Sequence, residues 1–353
     1  MSETLADVQY SDADFAHDHR AIDFYRDHGC ATVMDAFQIA NILHTDGMVR
    51  EASNFYRIAF DLHSKEPHVF PNAHVLLNVS LLCLLKAGEN PSEEDMQLLR
   101  GYSIPCYNYI RGVMISWREG DHLRALETMG NCYEEFHTGE ECDRIYLSIA
   151  CRLYEDKLAH SVLSPSQNMQ FIPLKIYGYC ENNSTTDIKD ELAHGQLNAS
   201  FDIKIFRPDD AAVWLYQNYG VEARRIFLMS HSSIEASNFL RLHVIYKLGG
   251  WWMEKKNQCL EQEYQIRVLS RRYSHIFFQN EDGEIQGDYF GAFPNSSVIG
   301  DALFSLYRNY YLHENLDVFR KSGSGILERS LNRAFHSYKD DDKLSMNIYK
   351  NIF

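Results

Sequence analysis

Apolar residues recur at helical spacing through the first half of the chain, and strand-like patterns begin only in the second half. Between residues 31 and 155 the apolar positions return every three or four residues, with few β-branched runs. Gly47 precedes Ala52 by five positions, and Gly120 precedes Ala125 by the same step. The pattern therefore predicts consecutive helices that are separated by glycine turns.

These paired helices resemble the tetratricopeptide repeat, in which small residues let two helices pack closely. The repeat's period of about 34 residues fits twice, loosely, between Gly47 and Gly120. The tryptophan and tyrosine of the repeat's consensus are missing, and a plain array of helical hairpins is an almost equally good description. Either arrangement leaves a groove that commonly binds a peptide or a protein. We expect residues 1–160 to form such a domain and to bind a protein partner.

The pattern changes near Gln167, where short apolar runs begin to alternate with helical segments. Such alternation is typical of an open α/β sheet, as in Rossmann-like folds. The break at Ser164-Pro165 marks the boundary, so residues 161–353 are predicted to form an α/β domain. The predicted strands are FIPLKIYGYC, FDIKIF, IFLM, WWM and HIFFQ.

One segment of this α/β half brings charges to the end of an apolar strand. Ser232 and Glu235 form a capping box that predicts a helix start, and Gly249 is a natural helix end. Residues 251–253 (WWM) then predict a short buried strand, and residues 254–257 (EKKN) follow it directly. In open α/β sheets, ligands bind beyond the carboxyl ends of the strands. Residues 254–257 are therefore a candidate site.

Composition and charge narrow the classes of partner. The 353 residues include 49 acidic residues against 34 lysines and arginines, for a formal charge of −15, and no long basic block occurs. This balance argues against nucleic acid or an anionic membrane as a partner, because both require clustered cations. Eight cysteines without a CxxC motif, together with no apparent signal peptide or membrane span, predict reduced thiols and a cytoplasmic location.

The segment SNFLRLHVIYKLGGWWMEKKN resembles the (S/D)-x-LR…Y-x-x-GG-x-Y-x-D-x-D pattern of one group of retaining glycosyltransferases with the GT-A fold. That group includes yeast-type and bacterial mannosyl- and galactosyltransferases and the clostridial glucosylating toxins. Four further segments are similar to the group's landmarks and occur in the same order, so the resemblance covers about residues 168–335. They are FIPLKIYGY, FDIKIFRPDD, GDYFGAFPNSSVIGDALFSLY and SGSGILERSL. The resemblance implies transfer of a hexose from a UDP- or GDP-sugar donor to a saccharide or protein acceptor.

The resemblance also implies roles for particular residues. Arg241 matches the group's arginine, and Asn238 stands where the group has a donor-binding aspartate. Glu254 and Lys256 replace the two aspartates of D-x-D, which hold Mn²⁺ or Mg²⁺ in the group. Divalent cations need oxygen ligands, and a charged lysine has no lone pair to offer. We therefore expect no metal requirement: Arg241, Glu254 and Lys256 are the candidate catalytic residues, and Lys256 replaces the cation.

Three more residues are candidates for donor binding, each with a structural alternative. Tyr177 follows the first strand, where an aromatic side chain often stacks on the nucleotide base; core packing is the equal rival. Trp252 stands in place of the tyrosine before D-x-D, although most buried tryptophans only pack. Asp288 falls near the group's asparagine, or is only a turn residue.

Two readings without catalysis remain open. WWMEKKN is also consistent with a buried strand that emerges into a solvated turn. Alternatively, the loss of both D-x-D aspartates and of the helix aspartate is consistent with an inactive transferase-like domain. In that case the domain and the helical repeats would form a scaffold for protein interactions.

Overall fold

The chain forms two compact units, residues 1–132 and 133–353. Among the residues that the structure describes, the first unit contains helices and no strand, and the second combines helices with a mixed sheet, as the change of pattern along the sequence predicted. The computed structural model describes residues 9–160, 171–181, 201–254, 263–313, 315–337 and 346–350.

Seven α-helices occupy the described part of the first unit. Neighbouring helices pack against one another along the chain, most extensively α2 with α3, α3 with α4, and α6 with α7. A 3₁₀ turn at Asp12–Phe15 precedes them, and a π-helical turn at Ile115–Glu119 follows the sixth. The helices are α1 (His19–His28), α2 (Val33–Thr45), α3 (Val49–His63), α4 (Ala73–Lys86), α5 (Glu93–Tyr102), α6 (Ile104–Met114) and α7 (His122–Met129).

The glycine turns of the first unit lie where the sequence predicts them. Gly47 and Gly120 have φ values of 84° and 70°, a left-handed conformation that favours glycine. Ala52 and Ala125, five residues later, are completely buried in the helices that follow. The helical hairpins are therefore confirmed, whereas the specific tetratricopeptide pattern stays a prediction.

The second unit contains a six-stranded sheet, and helices occur in the segments that connect its strands. In the order β2-β1-β3-β5-β4-β6, β1 is parallel to β2 and β3, β5 is antiparallel to β3 and β4, and β6 is parallel to β4. The strands are β1 (Lys175–Tyr179), β2 (Asp202–Phe206), β3 (Gly250–Met253), β4 (His275–Gln279), β5 (Tyr289–Ala292) and β6 (Met346–Lys350). The helices are α8 (Glu141–His160), α9 (Pro208–Tyr219), α10 (Val221–Leu228), α11 (Ser233–Leu248), α12 (Glu263–Ser270), α13 (Ser297–Leu312), α14 (Val318–Lys321) and α15 (Ser324–Ser337).

One predicted strand is wrong. The IFLM run lies in the last turn of helix α10 and its C-cap, Met229. Ala223, Ile226 and Phe227 are the buried residues of that helix, and their spacing of three and four is helical. Four consecutive apolar residues fit a buried strand or one turn of a helix equally well, because so short a run carries no period. The other four predicted runs contain strands β1, β2, β3 and β4.

Helix α8, which the sequence pattern placed in the helical domain, belongs to the second unit. Its Asp143 is completely buried and accepts a 2.7 Å hydrogen bond from Nε of Arg329 in α15. The side-chain amide of Asn332 also donates to Asp143, at 3.0 Å. A buried carboxylate requires such partners, so α8 and α15 are tied together.

Helix α11 runs through the interior of this unit. Its residues from Glu235 to Ile245 are all buried, so no polar face points to solvent over that stretch. The helix packs against strands β1, β3 and β5 and against helices α10 and α13. Polar side chains on α11 are therefore held rigidly. Across the ranges that the structure describes, no helix combines the length and the apolar character that crossing a bilayer requires.

Candidate functional site

Helix α11 and strand β3 are joined by a sharp turn that only glycine allows. Ser232 caps the helix by accepting a hydrogen bond from the Glu235 N–H, as predicted, and Gly249 ends it. Gly249 and Gly250 both have positive φ. A Cβ on Gly249 would lie 2.5 Å from Cδ of Pro294, and one on Gly250 would lie 2.7 Å from a backbone carbonyl oxygen. The turn sends β3 back along the helix.

Because of this reversal, Glu254, the residue after β3, lies beside the first half of α11. The hydroxyl of Ser237 on α11 donates to Oε1 of Glu254. The indole Nε1 of Trp252 donates to the same oxygen at 2.8 Å, and the Glu254 N–H donates to the carbonyl of Asp288 at 3.1 Å. Among the described residues, no side chain or backbone N–H donates to Oε2 of Glu254. The carboxylate is thus fixed through one oxygen.

Four of the residues singled out from the sequence line one cavity of about 510 Å³ at this end of the sheet. A cavity of this volume is within the range of small-molecule sites. It lies at the carboxyl end of β3, where ligand sites of open α/β sheets are expected. The four residues are Asn238, Arg241, Glu254 and Asp288.

Arg241 is the cation of this cavity among its described lining residues, and it is only 3% exposed. Burial lowers the pKa of the guanidinium, while the nearby carboxylates of Glu254 and Asp288 act in the opposite direction. Its Nε is buried and has no hydrogen-bond partner within the described part of the chain. Buried N–H groups are rarely left without a partner, so this one marks a place where a ligand can bind.

Asn238 lies one turn before Arg241 on the same face of α11. Its Nδ2 donates a long, 3.4 Å hydrogen bond to Oγ of Ser322. The segment after Ser322 supplies another wall of the cavity through Gly323 and Ser324. The helix and this segment therefore enclose the cavity from two sides.

The remaining candidates are placed differently. Tyr177 and Trp252 are not among the described residues that line the cavity. Tyr177 is buried in β1 near Phe206, and burial raises its pKa to about 12. Trp252 is completely buried and is linked to the site through Glu254. Core packing, the structural alternative for both, fits these positions. Lys256 lies outside the described residues.

Sequence reasoning missed the other lining residues of the cavity, among them Glu284, Gln286 and Gly287 between β4 and β5. The backbone of Gly287 packs against the guanidinium of Arg241, since a Cβ there would lie 2.5 Å from Nη2 and 2.7 Å from Cζ. A glycine just before a strand is a signal for such a close approach, but it does not identify the partner.

The described residues do not fit a divalent metal by themselves. No group of three or more His, Cys, Asp or Glu side chains within the described ranges could hold a metal ion. The carboxylates of Glu254 and Asp288 instead lie near the guanidinium of Arg241. Hard divalent cations take six or more oxygen ligands. No step that passes through a metal follows from these residues.

Comparisons with known proteins do not assign the chain to a family. No protein-family model matches the chain, and no curated protein matches it. Among solved structures, the PaToxG glycosyltransferase is similar to this chain with a TM-score of 0.36 and 14% identity, over 54% of this chain and 79% of that one. This similarity is too weak to identify the fold or the activity.

Proposed function

We propose that the second unit is a glycosyltransferase of the GT-A type, which moves a hexose from a nucleotide-sugar donor to a saccharide or protein acceptor. The observation that carries the proposal is the position of Asn238, Arg241, Glu254 and Asp288. These residues come from two segments that are distant in sequence, yet they line a single cavity beyond the carboxyl end of β3. A solvated turn after β3 would give no reason for a buried arginine beside Glu254.

The residue types suit the two ends of a nucleotide sugar. As the glycosidic bond breaks, negative charge develops on the leaving diphosphate, and fixed cationic donors stabilise that charge. Arg241 provides charge-assisted N–H groups for this purpose. Carboxylates only accept hydrogen bonds, so Glu254 and Asp288 suit sugar hydroxyl groups. Asn238 both donates and accepts, and it orients the ribose or the donor sugar.

The cavity needs more positive charge than Arg241 provides. Three carboxylates, those of Glu254, Glu284 and Asp288, line it together with this single described cation, and Glu284 is also paired with Arg144. A diphosphate added to that balance requires a further cation. Lys256 follows Glu254 by two positions in the sequence and supplies an ammonium group, so the transfer is expected to proceed without a divalent metal.

Ligand binding with and without metal tests the proposal. Thermal unfolding of the full chain is measured with UDP, GDP and their hexose conjugates, in Mn²⁺ and in EDTA, and hydrolysis of each donor is followed in parallel. Stabilisation that persists in EDTA, together with slow release of the nucleotide, is the expected result. Stabilisation only with Mn²⁺ would contradict the role of Lys256. No stabilisation by any nucleotide would favour the scaffold alternative.

A further inference from the structure

The cavity contains a second buried polar atom that lacks a partner, besides Nε of Arg241. The side-chain Oε1 of Gln286 is buried and accepts no hydrogen bond from any described residue. Gln286 lines the cavity, and the next residue, Gly287, contacts the guanidinium of Arg241. One buried oxygen of Gln286 and one buried nitrogen of Arg241, each without a described partner, thus belong to residues that line the same cavity. Each such group favours the binding of a ligand that satisfies it.

The backbone around Gln286 is held rigidly by hydrogen bonds from both sides. The Gln286 N–H donates to the carbonyl of Phe278 in β4 at 2.7 Å. The neighbouring Ile285 N–H donates to Oε1 of the fully buried Glu328 in α15 at 3.2 Å. The backbone that carries the Gln286 side chain is therefore fixed, and selective recognition requires such support.

The surroundings of Gln286 indicate which part of a nucleotide sugar it contacts. Gln286 and Asp288 are two positions apart and line the same cavity, with Glu284 on the other side of Gln286 in the sequence. A phosphate placed against these carboxylates and away from the guanidinium of Arg241 would be repelled. A hydroxyl donates to a carboxylate, and it also pairs with either end of an amide. A sugar ring with several hydroxyl groups matches this lining.

We propose that Gln286 recognises a hydroxyl group of the donor hexose and so makes the site prefer the nucleotide sugar over the nucleotide diphosphate. This inference rests on the proposed glycosyltransferase function. In that proposed function Arg241 binds the diphosphate that the two ligands share, whereas Gln286 contacts only the sugar. The residue determines specificity and takes no part in bond breaking.

The test compares two dissociation constants in each variant of the full chain by isothermal titration. The ligands are UDP and UDP-glucose, or GDP and GDP-mannose if the guanine nucleotides bind. Gln286→Met removes the amide at similar length, Gln286→Glu keeps an acceptor oxygen, and Gln217→Met is an exposed control on α9. Loss of one hydrogen bond should reduce the preference for the nucleotide sugar about three- to tenfold in Gln286→Met. Gln286→Glu and Gln217→Met should keep that preference.

Each other outcome would overturn the inference. An unchanged preference in Gln286→Met, or equal affinities of the wild-type chain for nucleotide and nucleotide sugar, removes the role of Gln286 but leaves the proposed function standing. An equal loss of affinity for both ligands in Gln286→Met would assign the residue to the nucleotide or to folding. If the wild-type chain binds none of the four ligands, the proposed function fails and this inference fails with it.

Discussion

Nε1 of Trp252 donates a 2.8 Å hydrogen bond to Oε1 of Glu254, while Nε1 of the neighbouring Trp251 donates to Oγ of Ser270 at 2.9 Å. Both tryptophans are completely buried in β3. Successive residues of a strand point to opposite faces of the sheet. The indole of Trp252 therefore contacts a residue of the candidate site, whereas the indole of Trp251 contacts only the core. A substitution of Trp251 is thus a matched control for the same substitution of Trp252.

Trp252→Phe is expected to weaken binding of the nucleotide sugar, because Glu254 loses one of its two side-chain donors. Trp251→Phe removes the same ring volume and one hydrogen bond without touching Glu254. Both changes should lower the free energy of unfolding by roughly 1–3 kcal/mol in urea denaturation. Only Trp252→Phe should weaken binding of the nucleotide sugar, as measured by titration calorimetry. Equal affinities of the two variants would show that this hydrogen bond does not orient Glu254.

Gly287→Ala is expected to displace the guanidinium of Arg241. Gly287 does not have a positive φ, so the added Cβ is resisted mainly by the atoms of Arg241, 2.5–2.7 Å away. Affinity for the nucleotide diphosphate should fall about tenfold, as for the loss of a hydrogen bond to a charged group. In an Arg241→Met background the same change should have almost no effect. Equal effects in the two backgrounds would contradict the mechanism.

Gly101→Ala is the matched control for that experiment. Gly101 lies in α5 of the first unit, and a Cβ there would have no heavy atom within 4 Å. This variant should bind the nucleotide with unchanged affinity. It should also unfold at an equal or higher denaturant concentration, because alanine in a helix is favoured over glycine by about 0.5–1 kcal/mol.

Lys256→Ala should remove nucleotide binding in EDTA far more strongly than Lys255→Ala. Lys256 takes the place of the second aspartate of D-x-D in the sequence, whereas Lys255 takes the variable position between the two. Loss of one charge-assisted contact to the diphosphate corresponds to a factor of about ten or more in affinity. Titration of both variants with UDP and GDP provides the measurement. If the two lysines are equivalent, the assignment of Lys256 as the replacement cation is wrong.

Glu328 makes stability depend on pH in an identifiable direction. Burial raises its pKa to about 8, with the nearby Asp143 and Glu284 acting in the same direction and Arg144 against it. A carboxyl whose pKa is higher in the folded state stabilises the fold below its unfolded pKa. That stability is lost as the pH rises towards the folded pKa.

Glu328→Gln should therefore become more stable than the wild-type chain between pH 5 and pH 8. The amide keeps an acceptor for the Ile285 N–H but never ionises. The difference in the free energy of unfolding should be small at pH 5. It should reach a few kcal/mol at most at pH 8, since one unit of pKa corresponds to about 1.4 kcal/mol. Urea denaturation at both pH values measures it, with the exposed Glu127→Gln as a control. A difference independent of pH would mean that Glu328 does not titrate in this range.

Local patterns predicted the elements that carry the site. The Ser232 cap, the Gly249-Gly250 turn and the apolar strand after it are local features, and each occurs where the sequence places it. The prediction of a strand at IFLM was wrong because four consecutive apolar residues show neither a strand period nor a helix period. Helix α8 was placed in the helical half because no local pattern shows the ion pair that joins its Asp143 to Arg329, 186 residues away.

The composition of the cavity could be predicted only in part. Asn238, Arg241 and Glu254 are close together in the sequence, so one motif identified all three. Gln286 and Gly287 became part of the site through the pairing of β3 with β5, and no local pattern records which arginine a glycine will contact. Tyr177 and Trp252 illustrate the opposite problem, because a buried aromatic side chain looks the same in a sequence whether it packs or binds.

The antiparallel pairing of β3 with β5 sets how accurately the cavity is assembled. Met253 is paired with Tyr289, and the Glu254 N–H donates to the carbonyl of Asp288 just beyond that pair. A slip of one residue would move Asp288 by about 3.4 Å along the strand and turn its side chain to the other face of the sheet. Insertions or deletions between β5 and the turn before it would therefore be tolerated poorly, even though few of those residues belong to the core.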